Sequence, residues 1–590
     1  MQEKRNLNSQ KMAKVLFILA FAFVGIVTTN SANAQTIRYV KPTATGVGNG
    51  IAWTNASDDI QGMIDASVSG DQVWIARGNY PLTATLEMKE GVNVYGGFFG
   101  DETSISSRQK EDLDENGIVE AWEFSFATVL NGQNERRVLH QQSPFDIETL
   151  WDGVTIMRGS VSSNTSDANG GGAYIKTNGK LINCVVSNNT ASIVSTGYTF
   201  NCSRGGGLYN QGGTISQCFI SNNTSTANTS ITGDKSCGGG IYNDSGTISQ
   251  CLISNNTCHV SCSSGGSFNN LAKAYGGGIY NGNGIISHCT ISDNTYTLQG
   301  TNTSIYGIGI ACSSTTYSIV TDCIIKNNMG GIYQGNINRC VIRENNCPCY
   351  FENSIASNCL IVDNNSSSGY SDYGACGGIY TNCNFLQNAH GITGSSDNPV
   401  TAVNCIIWGN SIDQIRGSYV TITYSAIQGG YTGDGNINIA ADNTVGGPRF
   451  VNPEEDNYQL QSTSPCINAG NNTALSANDT IDMAGLSRIY DGTVDMGCYE
   501  WQPTHIISGQ VTSKENYPII IYPNPTKDIL SVECENVNVI KLYDILGKEM
   551  LTQTVNGKTE INIKHLPKGM YIINVVSEGK FIGNSKIVKQ

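Results

Sequence analysis

Twelve consecutive residues, from Asp112 to Glu123, hold the most concentrated set of metal-binding oxygens in the chain. Asp112, Asp114 and Asn116 alternate, so their side chains converge on one point, and Gly117 allows the sharp turn that follows. Beyond the turn Ile118 offers its backbone carbonyl, Glu120 reaches the centre directly or through water, and Glu123 closes the shell with two oxygens. An all-oxygen shell suits a hard divalent cation, and calcium is the expected occupant.

The run matches D-x-D-x-N-G-x5-E throughout, with Val119 at the eighth place and Phe124 after the last, and it resembles an EF-hand calcium loop. Helical patterns are weak on either side, so the expectation is an isolated loop of modest affinity that does structural work on the rim of an early coil. Other chemistry is thinner. Glu344 and Asp363 are the only acids that neighbour each other in one column of the repeat, where stacking would set their backbones about 5 Å apart. Such a pair could divide acid and base work, although Asn and Gln share the same column, as on a solvated corner. The six histidines form no cluster, and no G-x-S-x-G, metal-spaced histidine pair or phosphate loop occurs.

The elements that must position these residues come from a nine-fold repeat typified by Q-C-F-I-S-N-N-T, Gln217 to Thr224. Its cysteines are Cys184, Cys218, Cys251, Cys289, Cys323, Cys340, Cys359, Cys383 and Cys405, each followed two residues on by Val, Ile or Phe. Five residues after each cysteine stands Asn189, Asn223, Asn256, Asn294, Asn328, Asn345, Asn364, Asn388 or Asn410. Period two is strand periodicity, and the fixed asparagine marks a turn. Units this short cannot bury a core alone, so they must stack, and the reading is an all-β parallel β-helix with interior thiol and aliphatic columns and a stacked asparagine ladder. The residue after each cysteine, from Val185 to Ile406, points outward and is mostly apolar, so it needs cover. Cysteine spacings of 33 to 38 residues in the first coils fall to between 17 and 24 later, which places insertions at one corner of the early coils, about 191–204, 225–237 and 258–275. These inserted stretches must stand side by side. They are the candidate binding surface and the expected cover for the apolar column.

Composition narrows the partners. The chain has 590 residues, 67 glycines and a net charge of −14, which disfavours nucleic acid and anionic membranes; no basic groove is expected. Residues 1–34 read as a secretory signal, with Lys4, Arg5, Lys11 and Lys14 before an apolar run from Val15 to Val27 and Ala32-Asn33-Ala34 as the cleavage site. No other segment is apolar enough to span a membrane. The ladder cysteines are expected as buried thiols, whereas Cys202, Cys237, Cys258, Cys262, Cys312, Cys347 and Cys349 could pair between loops. Near the start, Ser57 is the expected cap of a short helix with Ile60, Met63, Ile64 and Val68 on one face and Gly70 as its stop.

Three segments carry family resemblances. Ile37 to about Gly100, including Y-G-G-F-F-G, resembles the N-terminal coil of bacterial right-handed β-helix proteins of the pectin-lyase-like superfamily. P-R-F-V-N-P from Pro448, Y-Q-L-Q-S-T-S-P-C-I-N-A-G and R-I-Y-D-G-T-V-D-M-G-C-Y-E resemble the choice-of-anchor Q module; Cys466 and Cys498 fall there at positions where small apolar residues are expected, which suggests a disulfide. I-I-I-Y-P-N-P-T-K-D-I-L-S-V, V-I-K-L-Y-D-I-L-G-K-E-M and L-P-K-G-M-Y-I-I-N-V resemble the type A C-terminal sorting domain of the type IX secretion system of Bacteroidota, which implies handling by that machinery. The expected organisation is signal peptide 1–34, cap and first coils 35–110, calcium loop 111–124, repeats 125–447, terminal coils 448–500, linker 501–518 and a small Ig-like β-sandwich sorting domain, 519–590. The function expected is an exported, surface-displayed or secreted scaffold, adhesin-like or glycan-binding and non-enzymatic. The alternative is a polysaccharide lyase or glycoside hydrolase of the superfamily, lacking its paired-aspartate and histidine motifs.

Overall fold

The computed structural model describes residues 35–195, 201–229, 233–262, 272–300, 303–313, 317–346, 354–365, 373–477, 479–502, 520–522, 526–544, 549–577 and 580–589. The expected signal peptide, Cys347, Cys349 and most of the expected linker lie outside them.

Stacked coils build three parallel sheets. A front sheet of 14 strands runs from Ile37–Val40 to Val420–Thr423, a back sheet of 14 from Gly78–Pro81 to Ile437–Ile439, and a side sheet of eight from Leu86–Glu87 to Ile332–Tyr333. Neighbouring strands are paired parallel and in register: Val186 lies opposite Ile156 and Ile220, and Ile220 opposite Ile253. The fold is a right-handed parallel β-helix, the sense that parallel crossovers adopt.

Each column of the repeat becomes a file of side chains. All nine ladder cysteines are buried, and each thiol donates to the carbonyl two residues before it at 3.1–3.4 Å. The aliphatic column is buried throughout, as is the asparagine file. Each asparagine Nδ2 donates to the Oδ1 of the next at 2.9–3.2 Å, from Asn189 to Asn410. That same Nδ2 also donates to the carbonyl of the aliphatic column one coil back, as Asn256 does to Ile220 at 3.0 Å. The same Oδ1 accepts the previous asparagine's backbone N–H, so one amide ties three coils together.

The three-residue strands of the back sheet are bracketed by left-handed residues. Asn183, Gln217 and Gln250 before the cysteines have φ near +54°, and Asn188, Asn222 and Asn255 after the strands have φ of 56°. These positions are polar because Asn, Asp and their relatives tolerate that conformation best among residues with a Cβ. Solvent exposure of the corner is only part of the reason.

Several sequence expectations need correction. The first helix spans Ile60–Ala66, capped by the Asp59 carboxylate on the Gly62 N–H rather than by Ser57; Val68 lies beyond it and is exposed. Ile60 and Ile64 join the core, so the helix does close the first coil. Cys202, Cys237, Cys258 and Cys312 of the loops carry no disulfide, and no Cys466–Cys498 bridge forms. Cys466 and Cys498 instead fill buried apolar positions beside Phe450, Tyr458 and Met496.

The inserted stretches stand side by side as expected, and go further: they make a fin of two five-stranded parallel sheets, Ser160–Ser163 to Thr295–Gln299 and Ala168–Asn169 to Thr303–Tyr306. The fin has its own small core around Ala227, Cys258, Val260 and Ala274. It does not cover the outward apolar column of the back sheet. Trp122 of the acidic loop stacks on Phe219 there at 5.9 Å, and at the far end Phe450, Tyr458 and Leu460 bury Leu360 and Ile406. Segments chain-distant from the repeat thus supply the cover, with Ile324 between them left exposed. Beneath the terminal segment a buried Arg488 pairs with Glu500 at 3.2 Å.

The sorting region runs from the strand Ile520–Tyr522 to the strand Lys580–Lys589. Its five strands form one connected antiparallel sheet around Leu530, Val532, Ile540, Leu542 and Ile573, with the long strand Ile529–Asp544 paired on both sides. The all-β reading holds for this region, while two separate sheets are not seen among its described residues.

The amide file makes a direct prediction. Asn256→Ala leaves the buried Asn223 N–H and Ile220 carbonyl without their partner, a cost on the order of 3 kcal/mol. A thermal melt should show a clear fall in midpoint, and hydrogen exchange should show the Asn223 amide losing protection; an unchanged melt would remove the ladder from its structural role.

Candidate functional site

The acidic loop folds back on itself. Asp112 Oδ2 accepts the Gly117 N–H at 2.7 Å, Asn116 Oδ1 accepts the Ile118 N–H at 2.8 Å, and the Glu123 carboxylate accepts from Leu113 N at 3.0 Å and Glu120 N at 2.9 Å. Ligand atoms of Asp112, Asp114 and Glu123 all lie within 4.8 Å of one another. Glu120 turns towards them, taking a hydrogen bond from Asn116 Nδ2 at 2.9 Å while its Oε2 is buried without a partner. Burial, followed by the neighbouring Glu123 and Asp114, pushes the Glu120 carboxyl up to about 7. These residues fit a hard divalent cation. The side chain of Ile118 is exposed, so that residue has only backbone to give.

The loop has no flanking helices and is anchored by its end. Phe124 is buried against Gly97 and Gly153, whose φ of 81° and 73° and missing Cβ make room for the ring. Leu113, Trp122 and Val185 line a cavity of about 80 Å³ between the loop and the back sheet. Closing the carboxylate shell and seating Trp122 on Phe219 are therefore parts of one folded unit.

Glu344 and Asp363 do come together, at left-handed corners of successive coils. They are not alone there. Arg343 donates to Glu344 Oε1 at 2.7 Å and to Asp456 Oδ2 at 2.6 Å, and burial raises the half-buried Asp363 carboxyl above its ordinary range. Three carboxylates thus surround one guanidinium, which holds the terminal segment onto the helix. Asp456 lies more than a hundred residues from Arg343, and no local signal in the sequence pairs them.

The feature missed in the sequence lies where the fin meets the side sheet. The outward file of that sheet reads Glu87, His140, Tyr174, Tyr209, Tyr242, Tyr280, Ala311, Tyr333. Tyr209 and Tyr242 stack at 5.2 Å, and Tyr242 and Tyr280 at 4.7 Å. Where Ala311 interrupts the file, the fin supplies a stacked pair, Tyr275 and Tyr306 at 4.8 Å, which touches Tyr280 at 6.0 Å and Tyr333 at 5.0 Å. The two walls meet at a re-entrant corner turned by Gly205, Gly238 and Gly276, with φ between 60° and 68°. A Cβ at Gly205 would sit 1.8 Å from the Leu208 carbonyl oxygen, so only glycine makes this turn.

Because the rings cover one another's faces, the corner presents edges and hydroxyls. Burial raises the hydroxyls of Tyr209, Tyr242 and Tyr280 well above their ordinary range, and a protonated phenol is both donor and acceptor. Cations gather around them: Arg204 lies 5.4 Å from the Tyr242 ring, Arg137 and Lys176 lie over Tyr174, and Lys273 lies 5.4 Å from Tyr306. Carboxylates stand among them too, with Asp167 paired to Arg204 and Glu87 at the head of the file. The recurring G-G-G-x-Tyr after each insertion was the available signal.

Comparison with known proteins bears on both parts of the chain. No curated protein matches it. Among solved structures it is similar to the pectate lyase Pel9A, at 11% identity over 79% of this chain and 97% of that one with a TM-score of 0.32. It is also similar to an alginate lyase from Paenibacillus sp. str. FPU-7, at 10% over 61% and 95% with a TM-score of 0.20. The A-module of the Azotobacter vinelandii mannuronan C-5 epimerase AlgE4 matches at 11% over 64% and 94%, with a TM-score of 0.23. These scores are low, and the fold rests on the strand register rather than on them. The family model described as the secretion system C-terminal sorting domain matches residues 520–590. The chain therefore ends in a type IX secretion sorting domain and is exported to the cell surface or the medium.

Proposed function

We propose that the protein is an exported scaffold that binds glycan along the tyrosine file, with a structural calcium in the loop from Asp112 to Glu123. The observation that carries the glycan reading is the row of tyrosine edges and protonated hydroxyls at a re-entrant corner, repeated once per coil. A polysaccharide is itself a repeating polymer of hydroxyl donors and acceptors on an apolar frame. Successive coils about 4.8 Å apart offer successive sugars the same partners, so many weak contacts add along the groove. Adhesion follows from display of such a surface outside the cell.

The lyase or hydrolase reading retains one supporting observation, the raised carboxyl of Asp363 beside Glu344. Release of unsaturated or reducing sugar ends that disappears in Glu344→Gln and Asp363→Asn would favour it. The engagement of Glu344 by Arg343 supports the binding reading instead.

Two measurements test the proposal. Tyr242→Phe with Tyr280→Phe keeps the stack and removes two hydroxyls; at about 1 kcal/mol each, glycan affinity should drop roughly tenfold to thirtyfold in affinity electrophoresis. Binding that ignores these changes, or no retention by any glycan, would defeat the reading. For calcium, a site of about 10⁻⁴ M affinity should add roughly 2.7 kcal/mol of stability at a hundredfold excess over that value. The increment should vanish in Asp112→Asn and Glu123→Gln, and equal melting with calcium and with chelator would dismiss the ion.

A further inference from the structure

The front sheet has an outward apolar file of its own, and it stays open to solvent. Ile285, Ile319, Ile355 and Ile379 are 37% to 50% exposed, whereas their chain neighbours Ile286, Val320, Ala356 and Tyr380 face the core and are buried. From Thr214 to Thr421 the register partners on nine successive strands read Thr, Thr, Ile, Ile, Asn, Ile, Ile, Thr, Thr. That order is the same in both directions, with Asn336 at its centre. The second outward file of these strands, Ser216 to Thr423, holds only Ser, Thr, Asn and Val, so neither file carries a charge. At the rim Asp322 and Arg339 neutralise each other at 2.7 Å. In a chain of net charge −14, such a face lets two copies meet without repulsion.

We infer that a second copy of this chain docks on this face, sheet against sheet, about a two-fold axis that runs along the strand Asn336–Asn338. Rotation about that axis keeps each position along the strand and reverses the order of the coils, so Ile319 meets Ile355 of the second copy and Ile285 meets its Ile379. Every isoleucine thereby covers an isoleucine. The second file closes under the same rotation without a clash of large side chains, since Thr321 meets Ser357 and Ser287 meets Thr381. Asn336 lies on the axis and meets its own twin, each amide donating to and accepting from the other. A slip of one coil would set that amide against isoleucine and leave it unpaired, so the asparagine fixes the register of the pair. An unrelated partner gives no reason for a file that reads alike from both ends. Two outward residues on each of nine strands make 18 a side, just under the roughly 20 to 30 of a standard interface, so the association is reversible.

Sedimentation velocity of the full chain, over roughly a hundredfold range of concentration, should show a monomer passing into a dimer. Asn336→Lys and Asn336→Asp each set two like charges face to face on the axis, and each should weaken self-association roughly a hundredfold. Mixed in equal amounts, the two variants should recover the dimer, because the charges that meet on the axis are then opposite. Recovery also shows that both variants fold. A chain that stays monomeric at every concentration, or a dimer indifferent to both substitutions, overturns the inference. A dimer that each variant breaks and their mixture fails to recover puts the axis elsewhere and overturns it as well.

Discussion

Everything in the helix depends on one coil lying in register on the last, and the side-chain amides of the asparagine file are what hold that register. An aliphatic column would tolerate a slip of two residues, because Ile against Ile looks much the same after the shift. An amide does not tolerate it. Each one must find a carbonyl behind, an oxygen ahead and a backbone N–H beside it, inside a core where an orphaned polar group is expensive. The left-handed residues on either side of each back strand then fix where the chain enters and leaves. Once these are set, whatever the loops carry is presented at one coil's repeat. The tyrosine file is a consequence of that constraint more than of any local design.

The columns were legible in the sequence because each coil states them again: nine repetitions of Cys, Ile and Asn leave little freedom in what faces inward. The insertion site was legible for the same reason. What failed were relations between distant segments. Trp122 covering Phe219, Phe450 covering Ile406 and Asp456 reaching Arg343 are contacts that no periodicity encodes. The cap of the first helix went to Asp59 instead of Ser57 because both are good capping residues, and the local backbone decided between them. The tyrosines were readable in principle. Tyr174, Tyr209, Tyr242 and Tyr280 each stand two positions after a run of three glycines.

The outer surface divides its work along the axis. At the early coils the acidic loop clamps an aromatic ring over an apolar column, and at the late coils the terminal segment does the same with Phe450, Tyr458 and an Arg343 bridge. Between these covers the fin projects from the opposite corner and turns the side sheet into one wall of a groove. Coils without insertions lack that wall, so the proposed recognition is confined to the stretch where the fin is present. Lengthening or shortening insertions at the one tolerant corner would alter the groove and leave the core untouched, a separation of scaffold from recognition common to solenoids.

The reduced thiol file has a bearing on how such a chain survives its journey out of the cell. Nine sulfurs sit one above another, each with its hydrogen committed to a carbonyl of its own coil and none reachable by solvent. Before the coils zip together, those same sulfurs are exposed on an extended polymer, where any oxidant could join two that do not belong together and lock the winding out of phase. Correct winding is therefore a race in which closure of the stack must outrun sulfur chemistry, and a carrier that keeps the chain reduced until it is wound would decide the yield.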